Sequence, residues 1–110
     1  MSIRAALLDL HRALVEEERR EHEKTLGRLS GGEFVQALIS DPVFAWLRPL
    51  TTLIVRLEEL GDAPDADLSA AARALFSEES EFRRRSAALL QRSPDVAFAY
   101  AAARRAVSTP

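Results

Sequence analysis

Apolar residues recur every three or four positions along most of this 110-residue chain, the spacing of one face of an α-helix. Near the N-terminus the repeat runs through Ile3, Leu7, Leu10, Leu14 and Val15. No segment of the sequence alternates apolar and polar residues with the period of two that a half-buried β-strand requires. The pattern therefore predicts an all-α fold.

Capping residues mark where the first two helices end and begin. Gly27 suits the position that follows a helix end. Ser30 and Glu33 form the capping-box pattern, and Leu29 is placed to contact Phe34 as a hydrophobic staple. These signals predict a long first helix over residues 2–26 and a short second helix over residues 31–40.

Prolines organise the rest of the chain. Asp41-Pro42 and Ser93-Pro94 each combine an N-cap residue with a proline at the first helical position. Pro49 predicts a kink near residue 48, because it lacks a backbone donor. We expect a four- to five-helix bundle that forms one domain over residues 1–110. Its remaining helices are predicted at about 42–60 (kinked), 66–92 (the second long helix, with a break at SEES, residues 77–80, as the alternative) and 94–107.

Composition narrows the functional classes. The chain has no cysteine, which excludes disulfides and thiolate catalysis, and its net charge is −2. No secretion signal or stretch of 18 apolar residues is evident, so we expect a cytoplasmic protein that does not enter a membrane. No catalytic motif is present either, including HExxH, a nucleophile turn or a glycine-rich cofactor fingerprint. We therefore expect a protein that is not an enzyme.

The segment HRALVEEERREHEK, residues 11–24, contains both histidines of the chain. His11, Glu18 and His22 follow the apolar stripe of the first helix, and imidazole and carboxylate groups suit zinc, iron or manganese. Residue 19 is arginine, however, so the Glu-x-x-His pattern of di-iron bundles is not completed. The metal site, with Glu58 or Glu79 as a further ligand, and a pH-responsive cluster of the same three residues are alternatives.

The interpretation that we favour for this segment is a charged helix that extends beyond the core from residue 16. The pairs Glu16–Arg20, Glu17–Arg20 and Glu21–Lys24 would stabilise an exposed helix. That interpretation predicts a solvated arm, or the polar edge of an oligomer interface.

Basic residues are concentrated in Arg83-Arg84-Arg85, Arg92 and Arg104-Arg105. Three consecutive arginines spread over 200° of a helix, and Glu78, Glu79 and Glu81 lie one turn away. We therefore expect no nucleic-acid binding. Ser30-Gly31-Gly32 could receive a phosphate, but the capping box explains the same residues.

The segment from His11 to Leu57, with HRALVEEER, SGGE and DPVFAWLRPLTTLIV, resembles a family of short bacterial helical proteins described as conserved hypothetical proteins. The resemblance implies a bacterial origin and a helical fold, and it carries over no catalytic residue. Together, these features predict a non-enzymatic interaction or regulatory protein that acts as a homodimer through helix faces. The alternative is a small metal- or ligand-binding bundle that uses His11, Glu18 and His22.

Overall fold

The computed structural model describes residues 2–28, 30–61 and 64–108, with the side chain of Leu26 excepted. This part of the chain contains six α-helices, one 3-10 helix and no β-strand, so the predicted all-α class is confirmed. The elements are α1 (Ile3–Leu26), α2 (Gly31–Ser40), the 3-10 helix η1 (Pro42–Leu47), α3 (Arg48–Glu59), α4 (Ala66–Leu75), α5 (Glu81–Arg92) and α6 (Pro94–Ser108).

The long helix α1 is the centre of the fold. It packs most extensively against α6 and also contacts α3 and α5. Leu7, Leu10 and Leu14 are fully buried along its inner face. The two helices run in opposite directions, because Asp9 shares a surface groove with Arg105 whereas Glu17 pairs with Arg92, just before α6 begins.

The predicted helix starts are formed by the expected hydrogen bonds. The backbone N–H of Glu33 donates to Ser30 Oγ at 3.1 Å, and the N–H of Ser30 donates to Glu33 Oε1 at 3.2 Å, which completes the capping box. Ser93 accepts from the N–H of Val96 at the start of α6. The staple contact predicted for Leu29 lies outside the described residues.

Near residue 48, where a kink was predicted, the chain changes helix type. Asp41 caps the first segment through the N–H of Val43, and residues 42–47 then form a 3-10 helix. The α-helical geometry begins at Arg48, with Pro49 in the first turn, where a missing backbone donor leaves no hydrogen bond broken.

The single long helix predicted over residues 66–92 is wrong. The chain forms two helices there, α4 and α5, separated by residues 76–80. Ser80 caps α5 by accepting from the N–H of Arg83, and its hydroxyl donates to the carbonyl of Leu75 at the end of α4. The same side chain therefore satisfies backbone groups of both helix ends, and the helix count rises to six.

Candidate functional site

The charged segment of α1 is packed against other helices, so the predicted solvated arm is wrong. Glu17 is only 7% exposed, and most side chains from residue 18 to 23 are half-buried. The Glu17 carboxylate lies 3.3 Å from Arg20 Nη1 and 3.4 Å from Arg92 Nε of α5. The ion pairs predicted within α1 are present; Glu16–Arg20 and Glu21–Lys24 are exposed, whereas Glu17 is buried where α1 meets α5.

Glu18 is half-buried beside the 3-10 helix. Burial raises the pKa of its carboxyl above the ordinary value. A hydrogen bond with the Trp46 side chain and the charges of Arg92 and Arg85 partly oppose that rise, whereas Glu21 adds to it. The carboxylate therefore has donors from the protein itself around it.

Aromatic contacts hold the next turn of α1 against η1 and α2. The ring of His22 lies 5.4 Å from the ring of Phe44, and Phe34 meets Phe44 edge-on at 5.8 Å. The guanidinium of Arg19 lies 5.3 Å from the centre of the Phe34 ring, a cation–π geometry. His22 is thus placed as a packing residue against an aromatic core.

The structure does not bring the predicted metal ligands together. His11 and His22 are separated by about 16 Å along α1, at 1.5 Å per residue. Glu58 pairs with Arg4 near the opposite end of α1. Among residues 2–28, 30–61 and 64–108, no three histidine, aspartate or glutamate side chains are grouped so that they could hold a metal ion.

His11 lies instead in an apolar groove next to α2. Its Nε2 is 3.1 Å from Thr51 Oγ1, whose hydroxyl donates to the carbonyl of Leu47 at 3.4 Å. With that hydroxyl proton engaged, Oγ1 accepts from the N–H of the neutral imidazole. Burial lowers the pKa of His11 below its ordinary value of 6.5.

This neutral histidine predicts a pH-dependent stability. Between pH 6.5 and the lower folded-state pKa, the unfolded chain binds a proton at His11 that the folded chain does not. The stabilisation that comes from keeping His11 neutral is therefore fully present above pH 6.5. The free energy of unfolding decreases as the pH falls through that interval. We expect His11→Gln to remove this loss, so that the difference in free energy of unfolding between the two proteins changes from pH 7.5 to pH 5.

Urea denaturation of both proteins at several pH values measures that difference. The raised pKa of Glu18 produces a trend of opposite sign, but it is common to both proteins and cancels in the difference. A difference that stays constant from pH 7.5 to pH 5 would contradict the buried, neutral state of His11.

The groove around His11 has a volume of about 410 Å³ and continues onto the outer face of α2. We call it the α2 groove; its lining residues are His11, Val35, Leu38, Ile39, Phe44, Leu47, Arg48, Thr51 and Thr52. Arg48 closes its end by donating to the carbonyl of Ile39 at 2.9 Å. The groove thus combines an apolar wall with the cation of Arg48 and the polar side chains of His11, Thr51 and Thr52.

The helix α2 exposes two of its five apolar side chains, Val35 and Ile39, while Ala37 and Leu38 are half-buried against the core. Within α2, Phe34 is the one described residue that is fully buried, whereas Val35 is 54% and Ile39 is 63% exposed. Val43, at the start of η1, is also exposed. The sequence predicted only that a short helix forms over residues 31–40, and this exposed surface was not among the predicted features. The available signal was the run Phe34-Val35 and Leu38-Ile39, which is too wide for one buried stripe.

Comparison with known proteins finds no matching family model, no matching curated protein and no matching solved structure. In the described ranges no single helix is both long and apolar enough to cross a membrane. By length and composition, α2 and Pro42–Glu59 pass that test only when taken as a pair, and the two are bent by 76°. The exposed side chains of Val35, Ile39 and Val43 form a surface that we call the α2 surface.

Proposed function

We propose that this chain is a non-enzymatic interaction or regulatory protein that acts as a homodimer, with the α2 surface as its interface. The observation that carries the proposal is the exposure of Val35 and Ile39 on a helix that buries one residue in its own chain. Contiguous exposed apolar residues of this kind are typical of interaction sites.

Charge favours a second copy of the same chain as the occupant. Glu33 lies in the first turn of α2, and Arg48 contacts the backbone at its last turn. In a two-fold symmetric dimer with antiparallel α2 helices, Glu33 of each copy faces Arg48 of the other. A two-fold interface is self-complementary in this way, and the exposed Ile39 side chains would enter the apolar surface of the opposite copy.

The burial of apolar side chains in the interface sets the expected affinity of the dimer. Complete burial of a valine or isoleucine side chain is worth about 1.5–3 kcal/mol, so the roughly half-exposed Val35, Ile39 and Val43 contribute on the order of 1 kcal/mol each. Two copies supply about 6 kcal/mol, comparable with the cost of association, which is about 4–15 kcal/mol. Groove contacts and the two ion pairs must supply the remainder, and since exposed ion pairs contribute little, we expect a weak dimer that is populated at high micromolar concentration.

The test is Ile39→Asp, which places a charge in the centre of the interface and should raise the Kd of the dimer at least a hundredfold. Sedimentation velocity over a concentration series, with native mass spectrometry, measures the monomer–dimer equilibrium. Phe98→Asp is the matched control, because Phe98 is 79% exposed on α6 and lies away from α2. A wild-type chain that stays monomeric at high micromolar concentration, or equal effects of the two variants, would refute the proposal.

A further inference from the structure

The hairpin formed by α5 and α6 contains a second cleft, on α6 rather than on the α2 surface. Ser93 alone separates the two helices, so residues at equal distances from it lie opposite each other. The cleft between them has a volume of about 630 Å³, within the usual range for small-molecule sites. The residues that line it include Arg83, Ala87, Ala97, Tyr100, Ala101 and Arg104.

The cleft is basic on both walls. Arg83 comes from α5, Arg104 and Arg105 come from α6, and no acidic side chain is among the lining residues. Arg83 is 4.0 Å from the exposed Glu78, a weak contact in water. Within the described ranges, Arg104 forms no ion pair or hydrogen bond. The fold thus gathers cations that are separated by about twenty residues of sequence.

The helix dipoles explain only part of this arrangement. Cations near the C-terminal end of α6 are favourable, which accounts for Arg104 and Arg105. Arg83 lies in the first turn of α5, where the dipole favours acidic groups instead. Its neighbours are used elsewhere, since Arg84 donates to the carbonyl of Glu79 and Arg85 pairs with Glu81. Of the three consecutive arginines, Arg83 alone lines the cleft.

Tyr100 supplies a buried hydroxyl that needs a partner. The residue is 7% exposed and lines the cleft, and its hydroxyl has no hydrogen-bond partner among the described residues. Burial raises the pKa of this hydroxyl, and the charges of Arg83 and Arg104, which line the same cleft, oppose the rise. An unsatisfied buried hydroxyl is destabilising, so an acceptor at this position would be stabilising.

We propose that the α5–α6 cleft binds a small phosphate monoester with an apolar body. Arg83 and Arg104 approach from opposite walls, and the Tyr100 hydroxyl is a third donor. Three donors from different directions suit a tetrahedral phosphate dianion better than a planar carboxylate. The apolar body would lie on the small side chains of Ala87, Ala97 and Ala101, which leave room for a flat group.

Isothermal titration calorimetry with 1-naphthyl phosphate tests the site. We expect one saturable site per chain, with weaker binding at higher salt. Arg83→Gln and Arg104→Gln should each weaken binding about tenfold, and Tyr100→Phe about threefold to tenfold. Arg84→Gln is the matched control, since it removes the same charge from the same helix outside the cleft, and it should leave the Kd unchanged.

Several results would overturn the phosphate site. No saturable binding of 1-naphthyl phosphate, or equal binding of uncharged 1-naphthol, would show that the arginines do not select an anion. Equal weakening by Arg84→Gln would show that general surface charge attracts the probe. A short single-stranded oligonucleotide that binds more tightly and displaces the probe would assign the cleft to nucleic acid instead. Repeating the titration with Ile39→Asp separates this result from the dimer.

Discussion

Replacing Phe44 by alanine is expected to lower the free energy of unfolding by about 3–5 kcal/mol, the range for truncating a fully buried aromatic residue. Phe44 is 1% exposed and lies between the rings of His22 and Phe34. It therefore connects α1 to α2 through η1. Its loss leaves a cavity and removes the contact that holds the one buried residue of α2 in place.

Chemical denaturation followed by circular dichroism and by the fluorescence of Trp46, the only tryptophan, measures this effect. Phe98→Ala is the control, because it deletes the same side chain from an exposed position and should cost less than about 0.5 kcal/mol. Since the proposed interface is on α2, Phe44→Ala should also weaken the dimer. Similar losses of stability in the two variants would mean that Phe44 is not the buried anchor described above.

Arg92→Ala is expected to lower the free energy of unfolding by about 2 kcal/mol. Glu17→Leu, which removes the buried glutamate that Arg92 contacts, is expected to lower it much less. In Arg92→Ala, Glu17 stays buried with Arg20 as its remaining ion-pair partner, and an undercompensated buried charge is destabilising. In Glu17→Leu, the buried charge itself is gone. Arg92 remains partly exposed to water and 3.9 Å from Glu21, so it keeps favourable surroundings.

Urea denaturation at neutral pH compares the two single variants with the double variant Glu17→Leu/Arg92→Ala. We expect the double variant to be more stable than Arg92→Ala, because it no longer buries an undercompensated carboxylate. Arg73→Ala removes an exposed arginine from α4 and controls for the change in net charge. A larger loss in Glu17→Leu than in Arg92→Ala would reverse our interpretation of this pair.

Helix starts were predictable from the sequence because their chemistry is local. The capping box at Ser30 and the prolines at 42 and 94 act within three residues of chain. The break between α4 and α5 was only the alternative to one long helix, because the apolar residues on either side of residues 76–80 stay in phase. Its local signal was Ser80 followed by Glu81, an N-cap with an acidic first turn.

The candidate sites depend on residues that are distant in sequence, so little of them could be predicted. Glu17 continues the three-and-four spacing of Leu7, Leu10 and Leu14, yet its burial requires Arg92, which another helix supplies. Likewise, Arg83 and Arg104 share a cleft only because Ser93 folds α5 back on α6. Helical periodicity within one segment contains no information on such pairings.

The packing of α1 against α6 also affects how the chain folds during synthesis. Roughly 70 residues separate the end of α1 from the start of α6, a delay of several seconds at about 5–20 residues per second. Until α6 has left the ribosome, the apolar stripe of α1 lacks its main partner. The nascent chain therefore passes through a period of exposed leucines, in which chaperone binding or aggregation competes with closure of the core.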